Sequence, residues 1–361
     1  MDETERADLD LLWLTLPESR PGRELSWLAA MPDASVTAVG ETSTGDPVPF
    51  IERPYRRLTR RFVEAGALAW FRDLDTVDTG RPVDWVASLE LCALVTGQAR
   101  PLAKRLGARQ AILTWGNDAR NPLYRIPPYH QALKRSEGVD LVVCLIEAAR
   151  DHCLELGYFP EQLAVVLPPL DTERFHPPAE PVEEPIAAFI SPLATNKGID
   201  RVLDAWPLVT AEVSEAKLVV AGRGPLEGLV RERAAQDRSI EFLGSLPGDG
   251  VAELLRTVST FVTAPRPTRV WNEQFGLAYV EAMASGVPVV TTECGTNHEA
   301  VLAPSIRVPD DVFALAEGMI HFLGDPGLRR SISGELRDVV VARFERRQQL
   351  AALRAAFDAA G

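Results

Sequence analysis

The chain has 361 residues, 46% of them hydrophobic, with four cysteines and a formal net charge of −13. That length exceeds one ordinary core and suits two domains, and the acidic balance argues against general nucleic-acid binding. No apolar run reaches the roughly 18 residues that a membrane span needs, and the acidic start MDETERADLDLLWLTL is unlike a signal peptide. Cys92, Cys144, Cys153 and Cys294 form neither a CxxC pair nor a disulfide-dense pattern. A reducing, cytoplasmic setting without a zinc site is therefore expected.

In chain order, LDLLWLTL (9–16), DWVASL (84–89), QAILTW (110–115), DLVVCL (140–145) and LAVVLP (163–168) read as strands of a first half. Between the first two lies RPYRRLTRRFVEAGALAWF (53–71), with Arg53, Arg56, Arg57, Arg60 and Arg61 close together. At helical spacing the arginines share one face, and Tyr55, Leu58, Phe62, Ala65 and Ala69 share the other. A helix is expected there, solvated on its basic face, or touching an anionic membrane surface or an anionic acceptor. The proline-rich, acidic FHPPAEPVEEP (175–185) reads as a stiff linker between the domains.

After it, IAAFI (186–190), AKLVVAG (216–222), STFVTA (259–264) and VPVVTT (287–292) read as strands. The intervening KGIDRVLDAWPLV, PLEGLVRERAAQ and GDGVAELLRTV carry apolar residues at helical spacing. Strands alternating with helices predict a parallel sheet covered on both faces. FERRQQLAALRAAFDAA (344–360) is a further helix. The domains expected are 1–182, to which 344–361 returns, and 183–343. His130, His152, His176 and His321 have no partner at metal-ligand spacing.

The chemistry concentrates in WNEQFGLAYVEAMASGVPVVTT, from Trp271 to Thr292. A helix is predicted from about Phe275–Gly276 to Ser285, closed by Gly286 and Pro288. Its N-terminus follows a strand's carboxyl end, where open parallel sheets bind ligands. Free N–H groups of Phe275, Gly276 and Leu277 would favour a phosphate there, and Gly276 would let it approach closely. Glu273 and Glu281 could both accept from sugar or ribose hydroxyls; ordinary solvated carboxylates are the alternative.

This segment resembles the donor-site signature of the family-4 retaining glycosyltransferases. The resemblance rests on Glu273, Phe275, Gly276, Leu277, Glu281, Ala282, Met283, Ala284, Gly286, Pro288, Val289 and Val290. LPPLDTERFHP (167–177), Lys197 and Gly198 in ISPLATNKGIDRVLDAW, VVAGRGP (219–225), IEFLGSLP (240–247) and Glu299 in CGTNHEAV extend it. The resemblance implies an α/β fold of the GT-B type, with two doubly wound Rossmann-like domains facing across a cleft. It implies a metal-independent hexosyltransferase, with no cofactor and a nucleotide diphosphate sugar as co-substrate. A sugar would pass, with retention, to a hydroxyl of an unidentified acceptor: small molecule, saccharide or lipid. A nucleotide-sugar epimerase and a non-catalytic binding subunit are the rival readings.

On that resemblance Glu273 binds the donor sugar and Lys197 neutralises the leaving diphosphate. Phe275 to Leu277 hold the donor through their backbone, and Glu281 takes the ribose hydroxyls. Gly224, Glu299 and His298 stand on the donor side. Three places depart from the pattern. Pro192 stands where an arginine is expected, and Arg223, Arg266 or Arg269 is the expected substitute cation. Gly22 is alone where a glycine pair is usual. Asn117 and Asp118 replace a histidine near the sugar, and Asp118 is the first-domain candidate for touching donor or acceptor, or else a helix cap.

Overall fold

The computed structural model describes residues 9–16, 23–41, 48–57, 68–118 and 120–361. It divides into two compact units, 1–169 with 347–361, and 170–346. Among the described residues, each unit is built on one wholly parallel sheet.

The first unit contains β1 (Leu9–Leu14), α1 (Arg23–Ala29), β2 (Ala34–Gly40), β3 (Phe50–Glu52), β4 (Tyr55–Arg57) and β5 (Ala69–Phe71). It continues through β6 (Trp85–Leu89), α2 (Leu94–Leu106), β7 (Arg109–Thr114), α3 (Pro127–Ser136), β8 (Leu141–Cys144), α4 (Glu147–Glu155) and β9 (Leu163–Val165). The sheet order is β3-β2-β1-β6-β7-β8-β9. Every residue of β1, β6 and β8 is buried. That is why they read as near-continuous apolar runs rather than alternating ones: helices cover both faces. Strands β2 and β3 escaped the sequence reading, because Ala34–Gly40 mixes Thr, Ser and Gly among its apolar residues.

The second unit contains β10 (Ile186–Ile190), α5 (Ile199–Glu212), β11 (Lys217–Ala221), α6 (Glu227–Gln236), β12 (Ile240–Gly244) and α7 (Gly248–Leu255). Then come β13 (Thr260–Thr263), α8 (Leu277–Ala284), β14 (Val289–Thr292), β15 (Ile306–Val308), α9 (Val312–Leu323) and α10 (Pro326–Phe344). Its order is β12-β11-β10-β13-β14-β15. The chain runs outward from β10 to β12 on one side, then returns through β13 to β15 on the other. The crevice between the carboxyl ends of β10 and β13 is therefore the topological switch point, where sheets of this kind bind ligands.

The last helix, α11 (Arg346–Ala359), packs on the first unit from Arg347 onward. Phe357 stands edge-on to Trp85 with ring centroids 5.3 Å apart. Leu167 N donates to Gln349 Oε1 at 3.1 Å, and Arg354 donates to the carbonyls of Pro32 and Asp33 at 2.9 and 3.0 Å.

Two sequence expectations give way here. The segment 175–185 is not a linker between the units, since the division falls between Pro169 and Leu170. It lies on the second unit, held by the buried Arg329 of α10. That guanidinium donates to the carbonyls of Phe322 and Leu323 at 2.6 and 2.9 Å and of Glu183 at 2.8 Å. Composition reported the prolines and carboxylates but could not report an arginine about 150 residues away in sequence.

The basic stretch from Arg53 to Phe71 is not one helix either. Tyr55–Arg57 is a strand, paired antiparallel with Ala69–Phe71. The Tyr55 ring stacks on its cross-strand partner Phe71 at 4.4 Å, and its hydroxyl donates to the Thr15 carbonyl at 2.5 Å. These two contacts outweigh the arginine spacing, which fits a helix but does not require one. Arg60 and Arg61 fall outside the described residues. No helix of the described residues is long and apolar enough to cross a membrane.

Candidate functional site

The loop after β10 ends in a short 3-10 turn, Thr195–Lys197, and Gly198 follows with φ 74°. A Cβ at Gly198 would lie 1.7 Å from the Ala264 carbonyl oxygen. The glycine thus lets the β10 loop lie directly on the end of β13. Arg266 stitches these loops further. Arg266 N donates to Asn196 O at 3.0 Å. The Arg266 guanidinium donates to Thr195 O at 2.8 Å and to both Asp200 carboxylate oxygens at 2.8 and 2.6 Å. Arg266 is therefore occupied in joining the loops. Arg223 and Arg269 are exposed, and neither guanidinium has a hydrogen bond or ion pair among the described residues.

The stitching brings Lys197 and Glu273 together across 76 positions of sequence, with Nζ donating to Oε2 at 2.7 Å. Glu273 is buried at 8% exposure. The Lys197 ammonium also lies over the Trp271 ring, 4.6 Å from its centroid. Trp271 was the residue that sequence reasoning passed over. The only signal for it is a large aromatic two positions before Glu273 in an otherwise polar loop.

A third loop, after β14, holds the backbone of Glu273. Thr296 N donates to the Glu273 carbonyl at 3.0 Å, and the Thr296 hydroxyl bonds the Gln274 carbonyl. The fully buried Asn297 donates to Thr292 O at 2.8 Å and fixes this loop in turn. Glu299 is buried in the same short turn, while His298 is exposed. Behind them, Tyr279, Thr263 and Thr291 share their hydroxyls at 3.0–3.3 Å inside the sheet. Burial holds the Tyr279 phenol above its ordinary pKa, so it stays a neutral hydrogen-bonding group.

The α8 N-terminus opens onto this edge. Gly276 is its N-cap residue with φ 86°, and no side chain caps the helix. What requires glycine there is the helix's own Tyr279, whose ring would lie 2.2 Å from a Cβ. That constraint is present without any ligand, so close approach of a guest is not needed to explain the residue. The Phe275 side chain points into the core, edge-on to Phe344 at 5.6 Å, leaving only its backbone to serve the site. Leu277 is the first residue of the helix, and Glu281 lies half-buried on its second turn. Leu193 N donates to Arg223 O at 2.9 Å, which ties the loop carrying Arg223 and Gly224 to the same edge.

In the first unit Asp118 is an Asx-turn residue: Oδ1 accepts from Arg120 N at 2.9 Å. Gly22 lies outside the described residues. Near Asp118, His152 is 3% exposed, packed against Gly116 and 3.4 Å from the Tyr124 hydroxyl. Burial lowers its pKa to about 4, and the nearby Asp118 charge opposes this. The unfolded chain binds this proton below about pH 6.5, whereas the folded chain does so only near 4. The contribution is thus complete above about pH 6.5 and lost as pH falls toward 4, about 3 kcal/mol in all. The urea midpoint of wild type should fall between pH 7 and 4.5 more steeply than that of His152→Gln. Equal slopes would contradict the assignment. Among the described residues no three His, Cys, Asp or Glu side chains gather as a metal-binding group.

Against this geometry, residues 184–325 match the family model of the glycosyl transferases group 1. A GDP-mannose-dependent monoacylated alpha-(1-6)-phosphatidylinositol monomannoside mannosyltransferase of Corynebacterium glutamicum is 33% identical over 42% of this chain and 40% of its own length. A GDP-mannose-dependent alpha-(1-6)-phosphatidylinositol monomannoside mannosyltransferase of Mycolicibacterium smegmatis is 27% identical over 63% of this chain and 64% of its own. The chain thus spans less than two thirds of either relative. Among solved structures, HepE of Anabaena in complex with UDP and glucose superposes with a TM-score of 0.74 at 17% identity, covering 96% of this chain and 100% of its own. That likeness shows the fold, which is GT-B.

Proposed function

From the premise that residues 184–325 form a glycosyl transferases group 1 domain on a GT-B fold, we propose that this protein is a retaining glycosyltransferase. It moves a sugar from a nucleotide diphosphate sugar to an acceptor hydroxyl. The observation that carries the reading is the 2.7 Å pair of Lys197 and Glu273 at the switch point of the second sheet, beside the uncapped α8 N-terminus.

In this reading the donor diphosphate lies on the backbone N–H groups of Phe275, Gly276 and Leu277, where the helix dipole favours negative charge. The Lys197 ammonium leaves part of its partnership with Glu273 for the diphosphate oxygens as their charge develops, which stabilises the transition state selectively. Glu273 then accepts from the donor sugar's hydroxyls, Glu281 from the ribose, and Glu299 and Gly224 shape the donor side. Asp118 is the first-unit residue proposed to touch donor or acceptor.

Arg223 or Arg269 supplies the second positive charge in place of Pro192, because Arg266 is committed to Asp200. With an ammonium, a guanidinium and a helix N-terminus in place, the reading requires no metal and no cofactor. The activity of these relatives on phosphatidylinositol mannosides supports a lipid-linked acceptor reached at a membrane surface.

The test is a panel of nucleotide sugars. The true donor binds only the folded protein and should raise its melting temperature, by about 2.7 kcal/mol of stabilisation at a hundred times its Kd. Transfer should survive EDTA and give a product with the donor's anomeric configuration. Arg223→Ala or Arg269→Ala should weaken donor binding. A panel without any shift would reject the reading, and an inverted product would reject retention.

A further inference from the structure

The Lys197 ammonium is held on two sides, by the Glu273 carboxylate and by the indole of Trp271. We propose that Trp271 is a positioning residue that aims this ammonium at the leaving diphosphate. The inference rests on the glycosyltransferase reading above.

The physical problem is that of a single lysine. An ammonium on a four-carbon stem is a point charge with rotatable donors, unlike a planar guanidinium fork that fixes its own geometry. The neighbouring arginine expected by resemblance is absent, with Pro192 in its place. A second carboxylate could hold Lys197 but would also cancel its charge. An aromatic face attracts the cation through its quadrupole and leaves the net charge available to an incoming anion.

Trp271 is built to do this. Its backbone N–H donates to the Thr268 hydroxyl at 3.0 Å, and its carbonyl accepts from Thr268 N at 2.7 Å. The residue thus closes its own turn, two positions before Glu273. The ring is only partly buried, so the core does not depend on it. Arg266, on the same loop, is already paired with Asp200 at 2.6 Å, and the guanidinium groups of Arg223 and Arg269 lie exposed with no ring contact among the described residues. The indole is therefore matched to the ammonium.

A double-mutant cycle tests this, using Trp271→Leu, Lys197→Met and the pair. Each protein is read by kcat and KM with the donor from the panel, and by calorimetric Kd for UDP or GDP, whichever binds wild type. Trp271→Leu should lower kcat about 5- to 30-fold, the range of a partly desolvated cation–π contact. Trp271→Phe should recover most of that loss, because its ring keeps a negative face. In the Lys197→Met background, Trp271→Leu should cost nothing further in kcat or Kd, since both substitutions remove one interaction.

Additive losses would overturn the proposal. So would a Trp271→Leu enzyme with raised KM and unchanged kcat, which would place the indole against the donor itself. If Trp271→Leu does not fold, Trp271→Gln takes its place in the cycle with the same outcomes. A wild type that neither binds nor turns over any nucleotide sugar defeats the glycosyltransferase reading and this inference together. An active wild type matched by Trp271→Leu defeats this inference alone.

Discussion

Lys197→Ala is expected to lower kcat about 10²- to 10³-fold with saturating donor, the usual loss when one preorganised charge-stabilising donor is removed. The argument is geometric. The ammonium lies 2.7 Å from Glu273 Oε2, at the carboxyl edge where the α8 N-terminus opens without a side-chain cap. Charge on the departing diphosphate grows in the transition state, so its loss falls on kcat more than on KM. The substitution also strands Glu273, which is 8% exposed, without its cation. Some loss of melting temperature is therefore expected, and donor-independent melting should be recorded alongside the kinetics. Lys197→Arg should rescue only part of the rate, because the planar fork cannot occupy the same position between carboxylate and indole. Turnover within about threefold of wild type for Lys197→Ala would remove Lys197 from the mechanism.

Gly198→Ala is expected to be the most damaging single-methyl change near the site. Its φ of 74° is unfavourable for alanine, and the added carbon would fall 1.7 Å from the Ala264 carbonyl oxygen. Left-handed strain and overpacking together give about 3 kcal/mol. For a unit of this size, that lowers the melting temperature by roughly 6–12 °C. Activity should fall as well, since the shifted loop carries Lys197 and a displacement of about 1 Å can cost a hundredfold. Gly228→Ala is the control: it lies in α6, and a Cβ there meets nothing within 4 Å. It should be neutral or slightly stabilising, by no more than about 1 kcal/mol. Similar melting temperatures for the two variants would mean that the β10 loop does not rest on β13 as described.

The sequence and the structure each carry different parts of this result. Strands such as IAAFI and LVVC are legible because burial on both faces leaves a continuous apolar run. The α8 helix is legible because Gly276 and Gly286 mark its ends and both take positive φ. Short or mixed strands are not legible: β15 has three residues, and the chain around β4 repeats arginines at a helical interval. In that stretch the partner decides, since Tyr55 stacks on Phe71 from a strand 14 positions later. The proline-rich segment misled for the same reason, its anchor being Arg329 in α10.

By itself, then, the sequence determined the alternation of strand and helix, the donor-like motif, and the identity of Lys197 and Glu273 as the charged residues to watch. The alternation and the motif's helix are local matters of periodicity, capping and residue type, whereas Lys197 is singled out by the resemblance to the glycosyltransferase family. Only the tertiary structure decided that the two charges meet, that Arg266 is spent on Asp200, and that Trp271 covers the ammonium. Each depends on loops from strands far apart in the chain but adjacent in the sheet, and strand order is a property of packing that spacing along the chain does not carry.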